Sequence, residues 1–346
     1  MQIDPYPPKN ILVRMPNWLG DLVMATPVLK DLKAKFPEAK ITAMCQSKIA
    51  PLLKEDPNVD ELYSFNRPSG WVRGAHESTE LISTIRHGSY DLGVLLTNSF
   101  SSAWWFWRGH VKNRLGYADH LRSCFLTEAV PFPANLKKQH LVITYKMLLE
   151  KLGIPLSNTA PELYISPAEI AAAKERLSRD GVDPTTHTLI GINPGAAYGS
   201  AKCWLPERFV EVSKILLKDP KVRILYFGDY AGAPLVQSIC EKLPEGVLNF
   251  AGKTSLRELA ALMMQCKVFL TNDSGPMHVA SALDIPLVAL FGSTSDVRTG
   301  PYKNGLVIHK HVACSPCYER VCPIDFRCMT RIDSEEVVSA VQRQLR

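Results

Sequence analysis

The 346-residue chain has no apolar run near the roughly 20 residues that a bilayer-spanning helix needs, so a transmembrane segment is not expected. Its first ten residues are polar and proline-rich. They lack the charged start and apolar stretch of a secretory signal, which makes the cytosol the expected compartment. Lys and Arg nowhere crowd into a basic stripe, so no nucleic-acid partner is expected. The first candidate ligand turn carries one glycine where a GxGxxG loop carries three, which argues against a nicotinamide-dependent oxidoreductase. Disulfides are disfavoured in a reducing compartment although nine cysteines are present.

The length suits two domains, each able to bury its own core. The formal net charge is +6, and most of that surplus falls in residues 1–155. A mildly basic first half fits an anionic partner such as a phosphorylated lipid or a membrane surface. Simple scatter accounts for it equally well.

Short apolar runs alternate with helix-like stretches, the signature of a parallel sheet covered by helices. Strands are expected at 11–15, 40–45 and 91–96, with a helix over 21–36. Residues 153–167 carry three prolines and few helix signals, and read as an interdomain linker. Ser166 and Pro167 then open a helix. Strands follow at 188–193, 222–227, 268–271 and 286–291, and helices at 206–218 and 255–264, the latter with a capping box of Ser255 and Glu258. A helix starts near Ser274, and an amphipathic helix over 334–346 takes Ser334 as its expected cap. The expected organisation is thus a doubly wound domain at 1–160, another at 167–332, and a C-terminal helix at 333–346.

Ligands of such sheets lie beyond the carboxyl ends of the strands. The turn after Met15 brings Asp21 to a helix start. Asp21 is either a carboxylate stabilised by the helix dipole or a general base for an attacking hydroxyl. The turn after Asn193 runs PGAAYGSAKCW. Its small residues, Gly195 among them, let a ligand approach the backbone, and Lys202 offers a point charge suited to phosphate. A flexible loop with one solvated lysine is the plainer reading. The turn after Thr271 is NDSGPMH, in which the N–H groups of Ser274 and Gly275 face an anion at a helix N-terminus. Asp273 holds a sugar hydroxyl or caps the helix, and His278 lies one turn on. Together these residues suit group transfer from a diphosphate-activated donor.

Four stretches carry a resemblance: RMPNWLGDLVMATPVL (14–29), LLTNSFSSA (95–103), NPGAAYGSAKCWLPERF (193–209) and TNDSGPMHVASAL (271–283). In this order they resemble the ADP-heptose–lipopolysaccharide heptosyltransferases, a family of inverting glycosyltransferases. The wording PNWLGD and NSFSSA is most similar to the type II members, with type I or a member using another acceptor as the near alternative. The resemblance implies a GT-B fold, two Rossmann-like domains facing across a cleft. It implies ADP-heptose as donor, the lipid A–Kdo inner core as acceptor, contact with the inner face of the inner membrane, and no cofactor or metal for catalysis. It assigns Asp21 as base and Lys202 as phosphate ligand. Gly195, Tyr198, Asp273, Ser274, Gly275 and His278 become donor-binding residues, and Asn98 and Ser99 acceptor-binding ones. Two departures stand out. The family loop often reads A-K-R-W where this chain has Cys203, and after the F-G turn, where the family often has an acidic residue that holds the ribose, Phe227-Gly228 is followed here by Asp229, Tyr230 and AGAP.

Residues 104–107, WWFW, pack a helix into the core or touch sugar faces and acyl chains. Cys314, Cys317, Cys322 and Cys328 lie within fifteen residues. Such density fits a structural four-thiolate zinc site or plain reduced thiols. A non-catalytic binding module organised by that cluster is the alternative from another functional class.

Overall fold

The computed structural model describes residues 7–66, 71–119 and 121–346, so residues 1–6 of the polar opening lie outside it. The chain divides between Tyr164 and Ile165 into two compact units. Among the described residues no helix is long and apolar enough to cross a membrane.

The first unit runs β1 (Asn10–Arg14), α1 (Leu19–Lys35), β2 (Lys40–Gln46), β3 (Glu61–Phe65), α2 (Trp71–His87), β4 (Leu92–Leu95), α3 (Phe100–Arg108), β5 (Asn113–Tyr117), β6 (Glu128–Val130) and α4 (Leu141–Met147). The strands form one six-stranded sheet in the order β3-β2-β1-β4-β5-β6. Every pair is parallel. Central strands are covered on both faces, which is why β1 and β4 read as unbroken apolar runs. Asp91, expected inside the fourth strand, sits just before it. Its carboxylate accepts from the backbone N–H groups of Lys9 and Asn10 at 3.0 and 3.1 Å and from Lys112 at 2.8 Å.

Helix α1 contains Pro27, which removes one i→i−4 donor. The hydroxyl of Thr26 donates to the Val23 carbonyl at 2.9 Å, the oxygen that Pro27 leaves without its usual donor. The same hydroxyl accepts the N–H of Glu162 at 3.2 Å. On α3, Trp105 and Phe106 are buried, and Trp105 meets Phe65 edge-on with centroids 5.8 Å apart. Trp107 stays half exposed against Phe125. Core packing therefore accounts for the centre of the aromatic run.

The stretch expected as a linker is not slack. Lys146 is buried on α4 and donates to the carbonyls of Ser157 and Thr159 at 2.5 and 2.9 Å. The hydroxyls of both residues donate to buried Asp31 of α1 at 2.8–2.9 Å. Asp31 lies 3.9 Å from the Lys146 ammonium. Burial lowers the Lys146 pKa and the Asp31 charge opposes that shift.

The second unit runs α5 (Pro167–Arg179), β7 (Thr188–Asn193), α6 (Pro206–Leu216), β8 (Val222–Tyr226), α7 (Ala233–Cys240), β9 (Val247–Asn249), α8 (Leu256–Met263), β10 (Val268–Asn272), α9 (Gly275–Ala282), β11 (Leu287–Phe291), α10 (Asp296–Thr299), β12 (Leu306–His309), α11 (Arg327–Thr330) and α12 (Ser334–Gln344). Its sheet order is β12-β11-β10-β7-β8-β9, again all parallel. Counted from its own first strand, this is the same winding as in the first unit. The core gathers Ile190, Ile192, Leu270 and Leu290 from the sheet, Phe209 from α6, and Val337 and Val341 from α12. Capping boxes open α5 (Ser166, Glu169) and α8 (Ser255, Glu258). At α12 the expected cap is off by one residue. Asp333 accepts the Glu336 N–H at 2.8 Å, and Ser334 instead donates to Glu211 at 2.5 Å.

Glu169 also takes a two-pronged bond from buried Arg257, with Nε at 2.6 Å from one oxygen and Nη2 on the other. That bond holds the Glu169 carboxyl at about 2 against an ordinary 4.5.

Two predictions follow from these buried charges. Asp31→Ala leaves the Lys146 ammonium buried without its carboxylate and should lower unfolding free energy by about 3–5 kcal/mol, read by urea denaturation. Glu169 has a folded pKa below its unfolded one, so its contribution is full above about pH 4.5 and fades as the pH falls toward 2. Glu169→Gln should therefore be less stable than the parent by on the order of 2 kcal/mol at neutral pH, discounted for partial exposure. The gap between the two denaturation curves should close in acid.

Candidate active site

In each unit the chain reverses its direction of winding between the first and fourth strands, which is where a doubly wound sheet opens a ligand crevice. In the first unit these are β1 and β4, followed by the turns that carry Asp21 and Asn98–Ser99. In the second they are β7 and β10, followed by the turns that carry Lys202 and Asp273–His278. Six turns are candidates from the sequence, and the four that carry the expected site residues fall, two and two, at switch points, whereas those after Phe227 and Phe291 follow other strands.

Asp21 stands in the first turn of α1, half buried, and Tyr145 of α4 donates to it at 3.4 Å. The helix opens at Trp18 without a side-chain cap, so Asp21 is the acidic group at its positive end. Below the turn lies Arg14, a residue the sequence did not flag. Its guanidinium is buried over the Phe65 ring at 4.7 Å, donates to the Met15 carbonyl, and donates to Asn17 Oδ1 at 2.5 Å. Burial brings its pKa down to about 10. Arg14 therefore fixes the turn that delivers Asp21.

Asn98 and Ser99 are exposed at the end of β4. Ser99 caps α3 by accepting the Ser102 N–H at 3.3 Å. The turn rests on Arg122, fully buried, which donates to the Thr97 carbonyl. Its Nε and Nη2 find no partner among the described residues.

In the second unit Lys202 Nζ lies 2.6 Å from Asp273 Oδ2, both largely buried. Thr294 donates to the same oxygen at 2.5 Å. Asp273 is thus committed to the lysine and does not cap α9, whose N-cap Ser274 makes no side-chain cap bond. The opening of α9 at Ser274–Gly275 is therefore an uncapped positive helix end. His278 is buried on that first turn, at 6% exposure.

Two asparagines tie the turns together, and neither was legible as functional. Asn193 donates to the Gly195 carbonyl at 2.9 Å and to Ser274 Oγ at 3.3 Å. Asn272 donates to the Pro194 carbonyl at 2.6 Å and accepts the Trp204 N–H at 3.0 Å. Trp204 is itself buried, with Nε1 donating to Ile332 O. At Gly195 an added Cβ would meet nothing within 4 Å, so the backbone there borders open space.

The cysteine-bearing segment packs on this loop. Ala201 N–H donates to the Arg320 carbonyl at 3.0 Å, and Tyr198 Oη donates to the Tyr318 carbonyl at 2.7 Å. Gly199 is required there, because a Cβ would stand 2.3 Å from the Arg320 oxygen. Lys202 and Arg320 share the Tyr198 ring, at 5.0 and 5.4 Å. A second cation thus approaches, over Tyr198, the same loop in which Cys203 stands where the family often has arginine. Asp229 accepts the Gly232 N–H at 2.7 Å, a local turn bond.

Cys314, Cys317, Cys322 and Cys328 are free thiols. Burial, followed by its three neighbouring cysteines, pushes the Cys328 pKa up. Among the described residues no three of these sulfurs gather at metal-ligating distance. The cluster that does is Asp296, His309 and His311.

Known proteins complete the picture. The model of glycosyltransferase family 9 (heptosyltransferase) matches residues 78–326. The chain is 32% identical over 302 residues to lipopolysaccharide heptosyltransferase 2 of Salmonella typhimurium, covering 84% of this chain and 85% of the relative. The structure of E. coli ADP-heptose lipopolysaccharide heptosyltransferase II superposes with a TM-score of 0.82 at 27% identity, over 97% of this chain and 98% of that one. A glycosyl transferase of family 9 from Veillonella parvula gives 0.86 at 28% identity, over 100% and 98%. These matches give the GT-B class and exclude both the non-catalytic module and the oxidoreductase. Two equally wound Rossmann-like units, with their turns at the switch points and a family model spanning most of the chain, make this protein a member of glycosyltransferase family 9, a heptosyltransferase-type glycosyltransferase.

Proposed function

We propose that this enzyme transfers a heptosyl group from ADP-heptose to the inner core of lipopolysaccharide, in the manner of the type 2 enzymes it is similar to. The observation that carries the donor assignment is the Lys202–Asp273 pair beside the uncapped start of α9. A lysine held by one carboxylate can exchange that partner for a diphosphate, while the helix end adds backbone donors.

In this reading an acceptor hydroxyl oxygen attacks the anomeric carbon as the bond to the diphosphate oxygen breaks. ADP leaves with the bonding electrons, and the hydroxyl proton passes to Asp21. Lys202 and the N–H groups of Ser274 and Gly275 take up the charge that grows on the diphosphate. Arg320 stands near enough to the Tyr198 ring to add a second positive charge. Gly195 and Tyr198 line the donor, Asp273 sets the lysine, and His278 supports the helix turn. Asn98 and Ser99 meet the acceptor. The reaction runs without a catalytic metal, since fixed cations and helix dipoles carry the leaving-group charge. The enzyme works at the inner face of the inner membrane, where a lipid-linked acceptor is presented.

Asp21→Ala should lower kcat by about 10²–10⁴-fold while ADP binds as before, measured by steady-state kinetics and calorimetry. Lys202→Ala should instead weaken ADP binding by roughly tenfold or more. Normal turnover in Asp21→Ala would remove the base from this scheme. Offered ADP-heptose and acceptors bearing zero or one heptose, the enzyme should use the acceptor with one. Use of the heptose-free acceptor alone would assign it to type I chemistry.

A further inference from the structure

Outside the donor turns, three metal-ligating side chains converge at the carboxyl edge of the second sheet. Asp296 opens α10, His309 ends β12, and His311 follows two residues later. One ligand atom from each lies within 4.8 Å of the others. The imidazoles of His309 and His311 have centroids 4.0 Å apart.

The hydrogen bonds around His309 fix its proton. Ser315 Oγ donates its only proton to the Gly292 carbonyl. Ser315 lies 2.9 Å from His309 Nε2 and must therefore accept there, so Nε2 carries the hydrogen. Nδ1 is the ring nitrogen that faces Asp296. It is buried on a side chain only 2% exposed, and it makes no hydrogen bond among the described residues. Yet Asp296 Oδ1 stands 3.1 Å away. The two atoms are close but form no hydrogen bond. A metal ion bound by both atoms would give the buried nitrogen the partner it lacks. Two atoms that each bind one metal at about 2.0–2.2 Å sit about 3 Å apart and off each other's axis. His311 Nε2 lies 3.6 Å from the other oxygen, Asp296 Oδ2, which completes a third ligand. Ser315 then has the role of the outer partner that holds a ligating imidazole in the correct tautomer.

We infer that Asp296, His309 and His311 form a binding site for a first-row divalent transition metal such as Zn²⁺, separate from the cysteines and from the donor turns. Two imidazoles and a carboxylate suit that class better than Mg²⁺ or Ca²⁺, which prefer oxygen ligands. The metal joins the end of β12 to the segment that follows β11. That segment includes Thr294, the partner of Asp273, so the ion braces the wall behind the Lys202–Asp273 pair. This is a positioning role, and no reacting atom is routed through it.

Cobalt(II) titration of the full-length chain after dialysis against a chelator tests the site, because nitrogen and carboxylate ligands give visible d–d bands without thiolate charge transfer. The expected result is one saturable equivalent with that spectrum. His311→Ala, at an exposed side chain that does not support the core, should weaken binding by roughly tenfold or more. A chain with Cys314→Ser and Cys317→Ser should keep it. The site is refuted by absence of saturable binding, by undiminished binding in His311→Ala, or by a spectrum that carries thiolate charge transfer and vanishes with the cysteines.

Discussion

A lysine ammonium held 2.6 Å from a largely buried aspartate is the contact around which the second unit is organised. Such a charge cannot stay in a crevice without an anion, and the chain supplies one from a neighbouring strand end. Lys202 can meet Asp273 only because β7 and β10 are adjacent in the sheet although 75 or more residues part their ends. Trp204 anchors one side of the lysine turn in the core. Gly199 lets the Arg320 backbone close over the other. The lysine is thereby held in one place before any phosphate arrives, so little ordering remains to oppose binding.

The first unit solves a parallel problem with a different charge. There the carboxylate of Asp21 needs a fixed helix start, and the turn before that helix has no side-chain cap to give it one. Arg14 supplies the rigidity from beneath, bonding Met15 and Asn17 while stacked on Phe65. Arg122 does likewise for Thr97. Buried guanidinium groups thus act as struts under both turns of that switch point.

The parts legible in the sequence are those whose cause is local. Buried central strands announce themselves as apolar runs, and the capping box of Ser255 and Glu258 is written within four residues. The edge strands were not foreseen, nor was β5 beside one of them. β3 and β9 are short and half exposed, so their residues carry no continuous apolar signal. The positions of Asp21, Lys202 and Asp273 followed from strand ends, but the partners did not. Neither Thr294 on Asp273 nor Arg320 beside Tyr198 shares a motif with its counterpart. The same holds for Asp296, whose histidines lie thirteen and fifteen positions further on, a spacing that matches no metal motif. Asp273 was read with helix capping as one option, and only the lysine across the sheet decides against it.

Thr26 and Pro27 show how a local defect serves a distant purpose. By helix preference alone alanine would be the better residue at position 27. Its N–H would then compete for the Val23 carbonyl, and the threonine hydroxyl would lose the acceptor that sets its rotamer. That rotamer is what lets the oxygen receive Glu162 and moor the outgoing chain. The imino acid, by withholding a donor, keeps a neighbouring side chain aimed at a segment more than a hundred positions away.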